Sequence, residues 1–310
     1  MIKISGVNKR YGGWSAVTDL NLKIPAGQFT SLIGPPGSGK STLLKLINRL
    51  VEPDTGLITV DGHDINSQAP EMLRRQIGYV IQSVGLFPHW TVAQNIAAVP
   101  ALLKWPASRI DQQVDSLMAL LELPPERFRQ RYPHQLSAGQ QQRVALARAM
   151  AAEPSVLLLD DPFGGVDALT RQSLQQALVR IHKQYGKTVL LVTHDLDEAL
   201  RLGERIVVMD QGQVVQQGTP REVLLAPGCA FLRQWVDQSD VGVRLLALDR
   251  VEHLVRRNVH SSGQPIAADC TLREALSIFI ARHVSCLPVA DAQGQMLGTL
   301  HFTDLLDVTR

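Results

Sequence analysis

Nine consecutive residues, Gly34-Pro35-Pro36-Gly37-Ser38-Gly39-Lys40-Ser41-Thr42, constrain this chain more than any other stretch. They match the order G-x-x-x-x-G-K-[ST] of a phosphate-binding loop. An apolar run, Phe29 to Ile33, precedes them, and a helix-like run, Leu43 to Leu50, comes after. Strand, loop and helix in that order are the context in which such a loop grips phosphate. Glycines let successive backbone N–H groups face one concavity, and the helix adds its positive end. Lys40 is spaced to reach β- and γ-phosphates, and the Ser41 hydroxyl to ligate Mg²⁺. Thr42 offers a second hydroxyl near the α- and β-phosphates. A plain Gly-rich turn before a core helix is the competing reading. The whole pattern favours a bound nucleoside triphosphate.

With 310 residues the chain has room for about two domains. Its 31 basic and 29 acidic residues nearly cancel, so charge gives no argument for nucleic acid. No apolar run approaches the ~18 residues of a membrane span. Met1-Ile2-Lys3-Ile4 reads as an alternating strand rather than a signal peptide. Cys229, Cys270 and Cys286 are widely spaced and lack a C-x-x-C pair, which points to reduced thiols and away from zinc.

The pattern along the chain predicts an α/β core over residues 1–225. Expected strands include Ile2–Val7, Leu20–Ile24, Leu57–Val60 and Ile77–Gln82. Residues 91–150 read as an inserted helical subdomain, broken at Pro100, Pro106, Pro124-Pro125 and Pro133. Val156–Leu159 and Thr188–Val192 are unbroken apolar runs, the mark of parallel strands buried on both faces. Residues 226–265 read as a helical connector, with 229–260 helical and mixed in charge, and 266–310 as a small α+β module.

Further motifs fall into register with the loop. Val156-Leu157-Leu158-Leu159-Asp160 is an apolar strand ending in a carboxylate placed to hold Mg²⁺. Leu136-Ser137-Ala138-Gly139-Gln140 comes before it, and Gly165-Val166-Asp167 after it. Gln82 ends one strand, Thr193-His194-Asp195 ends another, and Tyr11 precedes the loop. Taken singly, Tyr11 is a turn residue, His194 a polar strand end, and Gln82 uninformative. In this order, residues 1–225 resemble the ATP-binding cassette (ABC) ATPase domain.

The resemblance implies specific roles. In that family two cassettes pair head to tail, and each ATP lies between one chain's phosphate loop and the other chain's signature sequence. Tyr11 would stack on adenine, and Gly34, Pro35, Pro36, Gly37, Ser38, Gly39, Lys40, Ser41 and Thr42 would cradle the phosphates. Ser137, Gly139 and Gln140 would meet ATP held by the second copy. Ser41, Gln82 and Asp160 would attend Mg²⁺. Asp161, His194, Gln82 and Lys40 would carry hydrolysis, and Asp167 would communicate across the dimer.

Three departures stand out. Relatives usually have Glu where this chain has Asp161, one methylene shorter. Ala138 stands where Gly is usual, and Gly165-Val166-Asp167 replaces the commoner Ala-Leu-Asp. Together they suggest slow or regulated hydrolysis.

Ser83-Val84-Gly85-Leu86-Phe87-Pro88-His89-Trp90-Thr91-Val92 resembles cassettes of osmoprotectant importers, which take up glycine betaine, choline or related quaternary amines. Phe87 and Trp90 suit a socket for an apolar helix of a membrane permease. A packing cluster inside the subdomain is the alternative. Leu287-Pro288-Val289-Ala290-Asp291 and Gly298-Thr299-Leu300-His301-Phe302-Thr303-Asp304 resemble one cystathionine-β-synthase-type (CBS) module. Asp304 fits the ribose-binding position of such modules and His301 does not fit the phosphate position. Arg244, Arg250, Arg256 and Arg257 suit either a solvated face or anionic lipid.

The resemblance therefore implies an ATPase subunit at the cytoplasmic face of the inner membrane. It would be peripheral, held by a permease and served indirectly by a substrate-binding protein. An amino-acid importer cassette and a non-transport ATP-dependent switch remain as alternatives.

Overall fold

Apolar runs without polar alternation need cover on both faces, and this chain supplies it with helices on either side of a parallel sheet. The computed structural model describes every residue except 237, 238, 258, 260 and 310. It divides into two units, Met1–Gln217 and Gly218–Arg310. The helix over residues 220–225 falls on the far side of that division.

The first unit runs β1 (Ile2–Tyr11), β2 (Trp14–Ile24), β3 (Phe29–Ile33), α1 (Lys40–Ile47), β4 (Thr55–Val60), β5 (His63–Asp64), α2 (Pro70–Gln76) and β6 (Ile77–Val80). Four helices come next: α3 (Val92–Leu102), α4 (Ala107–Leu120), α5 (Pro125–Phe128) and α6 (Ala138–Met150). The core then resumes with β7 (Val156–Asp160), α7 (Ala168–Tyr185), β8 (Thr188–Val192), α8 (Leu196–Leu202), β9 (Arg205–Asp210) and β10 (Gln213–Gly218). One sheet has the order β2-β1-β4-β5, and a six-stranded sheet the order β10-β9-β3-β8-β7-β6. Within the latter β9, β3, β8, β7 and β6 are parallel neighbours.

Two cores flank the central sheet. Leu157, Leu159, Val189 and Leu191 point to the helical insert, with Val144 and Leu178. Leu158, Leu190, Val192 and Leu32 point the other way, onto α1 and the strands of the first sheet. Alternate residues of one strand thus serve opposite cores. Burying each such leucine contributes roughly 1.5–3 kcal/mol.

Local sequence explains most boundaries. Thr91 and Gln94 form a reciprocal capping box that starts α3. Pro106 caps α4, and Pro124 with Pro125 opens α5. Pro100 does not break the chain as its residue type predicts; it lies inside α3. It stands in the last turn, where one lost N–H bond costs least, and its carbonyl still accepts from Trp105 N. The strand expected to reach Gln82 stops at Val80. Its ladder partner Leu159 is succeeded by Asp160 and then Asp161, whose φ of 47° turns β7 aside, and Val84 N closes a turn onto Ile81 O.

The second unit contains α9 (Pro220–Leu225), α10 (Ala230–Trp235), α11 (Val241–Leu248), β11 (Ile266–Ala267), α12 (Leu272–Arg282), β12 (Cys286–Ala290) and β13 (Met296–His301). Its sheet order is β11-β12-β13, with β12 and β13 antiparallel. Residues 229–260 are less helical than expected. After the short 3₁₀ turn Val251–His253 the chain extends, and Arg256 exchanges both backbone bonds with Thr299. That bridge reaches over Gly298, where a Cβ would stand 2.3 Å from Arg256 O. Of the 229–260 segment, residues 237, 238, 258 and 260 lie outside the described residues.

Gly78 on β6 lets α6 approach the sheet. A Cβ there would lie 2.4 Å from Ala149 O and 2.5 Å from Leu157 Cδ2. Gly78→Ala is expected to lower unfolding free energy by about 1–3 kcal/mol in a urea titration, whereas Gly62→Ala, which meets no atom within 4 Å, should cost only its backbone strain.

Candidate functional site

The phosphate loop joins β3 to α1. Gly34 turns at φ 153°, where a Cβ would stand 2.0 Å from Met209 O, so β9 passes flush against it. Gly39 is the α1 N-cap at φ 98°, 2.4 Å by the same measure from Ala16 O of β2. The loop is therefore clamped between two strands. Gly34 and Ser38 are buried, Pro35 is half-buried, and Pro36 and Gly37 are exposed at the crest. Ser38 N donates to Pro35 O at 3.2 Å.

Lys40 folds back over this loop. Its Nζ donates to Gly34 O and Pro35 O, both at 2.8 Å, and to Ser38 Oγ at 3.1 Å. Burial depresses its pKa, and the charge of Asp160 opposes that shift. These are bonds that phosphate oxygens can replace, with a stronger charge-assisted gain. Thr42 is half-buried one residue after the exposed Ser41.

Asp160 ends β7 directly beside the loop. Ser41 Oγ donates to Asp160 Oδ1 at 3.0 Å. Burial raises the pKa of Asp160 and of Tyr79, the latter to about 12, with Asp160 adding to it. A hydroxyl and a carboxylate are hard oxygen donors of the kind Mg²⁺ takes when phosphates complete its shell. The donor set thus fits that ion.

The structure brings Gln82, Asp161 and His194 together from three separate strand ends. Gln82 Nε2 donates to Asp161 Oδ2 at 3.3 Å. His194 Nδ1 lies 3.2 Å from Asp161 Oδ1. Asp161 sits in the left-handed region, which Asp tolerates better than most residues. Asp161 N bonds Val192 O at 2.9 Å, tying this turn to the end of β8. The His194 side chain is 74% exposed, so apart from this contact with Asp161 its ring faces open solvent.

Behind His194 lies a buried polar network that sequence reading misses. Thr193, fully buried, donates through Oγ1 to Glu198 Oε2 at 2.7 Å and accepts from Asp195 N at 3.0 Å. Gln175 Nε2 donates to Glu198 Oε1 at 3.0 Å. Arg171, four residues before Gln175 on α7, lies 3.8 Å from Glu198 Oε1 and donates to Val166 O at 3.3 Å. Burial raises the Glu198 pKa. The network spans from the Val166-Asp167 loop to the Thr193-His194 turn. Only a periodic reading of α7, with Arg171 and Gln175 on one face, offered a signal for it.

Ser137, Gly139 and Gln140 open α6. Ser137 Oγ accepts from Gln140 N, and Gln140 Oε1 accepts from Ser137 N. This box leaves Ser137 and Ala138 exposed at the helix start. Gly139 is buried because Thr170 crosses it; a Cβ would stand 2.1 Å from Thr170 Cγ2. Asp167 caps α7 by accepting from Thr170 N at 3.1 Å, so the two helix starts are locked side by side.

Tyr11 ends β1, 43% exposed, and its ring stacks near that of Trp14. Phe87 and Trp90 are also exposed, with ring centroids 4.5 Å apart. Asn95, fully buried, holds their loop by donating to Phe87 O, Trp90 O and Thr91 O and accepting from Phe87 N. Beside Phe87 is a groove of about 330 Å³ lined by Val99, Leu102, Arg74 and Arg148.

In the second unit Asp304 is already engaged. It accepts from both Arg256 Nε, at 3.2 Å, and Arg256 Nη2, and from His301 N at 3.0 Å. Arg250 donates to Asp269 O and Arg244 to Trp235 O. These three arginines therefore have acceptors within their own unit.

Glu198→Ala leaves Thr193 and Gln175 without a buried acceptor. Turnover at saturating nucleotide is expected to fall about tenfold or more, since ~1 Å misplacement can cost ~100-fold, while nucleotide affinity measured by calorimetry stays within about twofold.

Comparison with known proteins accords with this geometry. The ABC transporter family model matches residues 17–164, and the CBS domain model residues 251–310. The chain is 56% identical over 306 residues to the glycine betaine uptake system ATP-binding protein YehX of Escherichia coli (strain K12), covering 99% of both. It is 42% identical to the glycine betaine/carnitine/choline transport ATP-binding protein OpuCA of Bacillus subtilis (strain 168), over all of this chain and 80% of that one. The dimeric structure of MJ0796, a bacterial ABC transporter cassette, superposes with a TM-score of 0.65 at 38% identity, over 71% of this chain and 99% of that one. Phosphate loop, Asp160 strand, helical insert and full-length likeness converge: the chain belongs to the ABC transporter ATP-binding family and carries a CBS domain at its C-terminal end.

Proposed function

We propose that this chain is the ATP-hydrolysing subunit that powers import of a quaternary amine osmoprotectant, such as glycine betaine or choline, through a membrane permease. The observation that carries the cargo class is full-length identity of 56% to a glycine betaine uptake ATP-binding protein. The chemistry rests on the convergence of Gln82, Asp161 and His194 beside the loop.

ATP binding draws Lys40 from its own carbonyls to the β- and γ-phosphates. Mg²⁺, held by Ser41 and Asp160, would neutralise phosphate charge. Gln82 orients a water, and Asp161 takes its proton as the water oxygen attacks the γ-phosphorus. The bond to the bridging oxygen breaks toward ADP, and His194 donates to the transferring phosphoryl group. Ser137, Gly139 and Gln140 would complete the site of a second copy, the start of their helix meeting its γ-phosphate. Tyr11 would stack on the adenine.

The groove beside Phe87 would receive a helix of the permease, which sets this subunit at the cytoplasmic face of the inner membrane with the binding protein opposite. Among the described residues no helix is long and apolar enough to cross a membrane. The amine itself would be read elsewhere, by an aromatic cage on the separate binding protein. Uptake of radiolabelled glycine betaine and choline into vesicles holding this subunit, its permease and binding protein tests the proposal. ATP-dependent accumulation is expected, lost with Lys40→Ala; accumulation of a polar amino acid instead would replace the cargo.

Asp161 makes hydrolysis slow in this reading. Its carboxylate is drawn between Gln82 and His194, about one bond length short of where a Glu would reach. Asp161→Glu is expected to raise turnover at saturating ATP severalfold with affinity unchanged. Equal or lower phosphate release by the variant would overturn this account.

A further inference from the structure

We propose that Trp14 is a second base-stacking residue, forming with Tyr11 a two-ring site that reads the face of a purine. This rests on the reading of the phosphate loop as a nucleotide site. Tyr11 and Trp14 are direct cross-strand partners at the tip of the β1–β2 hairpin, joined by Gly12-Gly13. Direct partners project to the same side of a ribbon. Their ring planes lie 17° apart with centroids separated by 6.4 Å. That is the far end of the range for aromatic pairs, about 4.5–7 Å, so the rings do not close on each other. Tyr11 stays 43% and Trp14 51% exposed. A large aromatic left half in water at a hairpin tip adds little to the fold and much to a site that takes a flat apolar ligand.

Position makes the ligand a nucleobase. Two residues after Trp14 on the same strand, Ala16 O lies against Gly39, the first helix cap of the phosphate loop. Thr18 N donates to Gly212 O, and Gly212 N to Ser38 O, so β2 is fastened to the loop through β9–β10 as well. Two strand residues span about 6.6 Å, the distance a ribose bridges between a phosphate and its base. Lys9 Nζ lies over the Tyr11 ring, 5.7 Å from its centroid, and is held there by its bond to Asp54. Stacking accepts any base face, so the contribution of the two rings is expected to be alike for adenine and guanine.

Calorimetry with the full chain tests this using ADP, GDP and pyrophosphate, the last having no base. Trp14→Ala is expected to weaken ADP and GDP alike by about 5- to 20-fold, from base–aromatic stacking, and to leave pyrophosphate unchanged. Trp14→Phe should recover most of the loss. Lys40→Ala, in contrast, should weaken all three ligands. If Trp14→Ala binds ADP as the unaltered chain does while Lys40→Ala does not, Trp14 has no part in the site and the nucleotide reading stands. If the unaltered chain binds pyrophosphate but gains nothing from either base, both the two-ring site and adenine stacking by Tyr11 fall. A loss that extends to pyrophosphate would mean that Trp14 supports the loop's shape, and would also overturn the proposal.

Discussion

Parallel pairing of β6, β7, β8 and β3 is the constraint on which the site depends. Parallel strands end together at one edge of a sheet, so the segments leaving neighbouring strands meet there. The loop after β3, the carboxylates closing β7, the turn after β8 and Gln82 beyond β6 are remote in sequence and adjacent in space. None of these side chains needs to seek its partner. The ladder register, Val80 against Leu159 and Asp160 against Val192, sets their heights. The apolar content of Leu157–Leu159 and Leu190–Val192 is thus a positioning device as much as a core.

Burial at that edge sets the electrostatics. Lys40 is pushed toward its neutral form and Asp160 toward its protonated form, each chiefly by desolvation and each partly restored by charges nearby. Each is poised for a different partner: Lys40 gains from phosphate, which brings negative charge and acceptor oxygens, and Asp160 from a cation such as Mg²⁺. The three bonds of Lys40 to its own loop hold the side chain in a defined place in the meantime, which reduces the ordering cost at binding.

Legibility in the sequence depends on which forces are local. The phosphate loop and the two buried strands were legible because short patterns cause them: glycine spacing and unbroken apolar runs. Pro100 misled because a proline near the end of a helix costs less than one in its interior. Gln82 was placed on a strand because its neighbours are apolar, and the strand ends earlier as the chain turns, with Val84 N bonded to Ile81 O. Glu198 and Trp14 had no readable signal as site residues. Their parts depend on neighbours elsewhere in the fold, Gln175 on α7 for the first and the loop by way of Ala16 for the second. Asp304 shows the converse. Its motif position was legible, yet Arg256 far upstream already takes its carboxylate.

The left-handed turn at Asp161 connects fold and chemistry. Asp is a residue that adopts φ near 50° at small cost because its short side chain can bond locally, and here that side chain meets Gln82 and His194. A Glu at the same backbone angle would reach farther toward a γ-phosphate but would sit less easily in the turn, and its extra rotamers would have to be frozen. The shorter residue therefore trades reach for a fixed carboxylate. The carboxylate is held in one place by residues on two further strand ends. In the proposed two-copy site that fixity has its own value, because the rate would then be set by closure of the two halves as much as by the base.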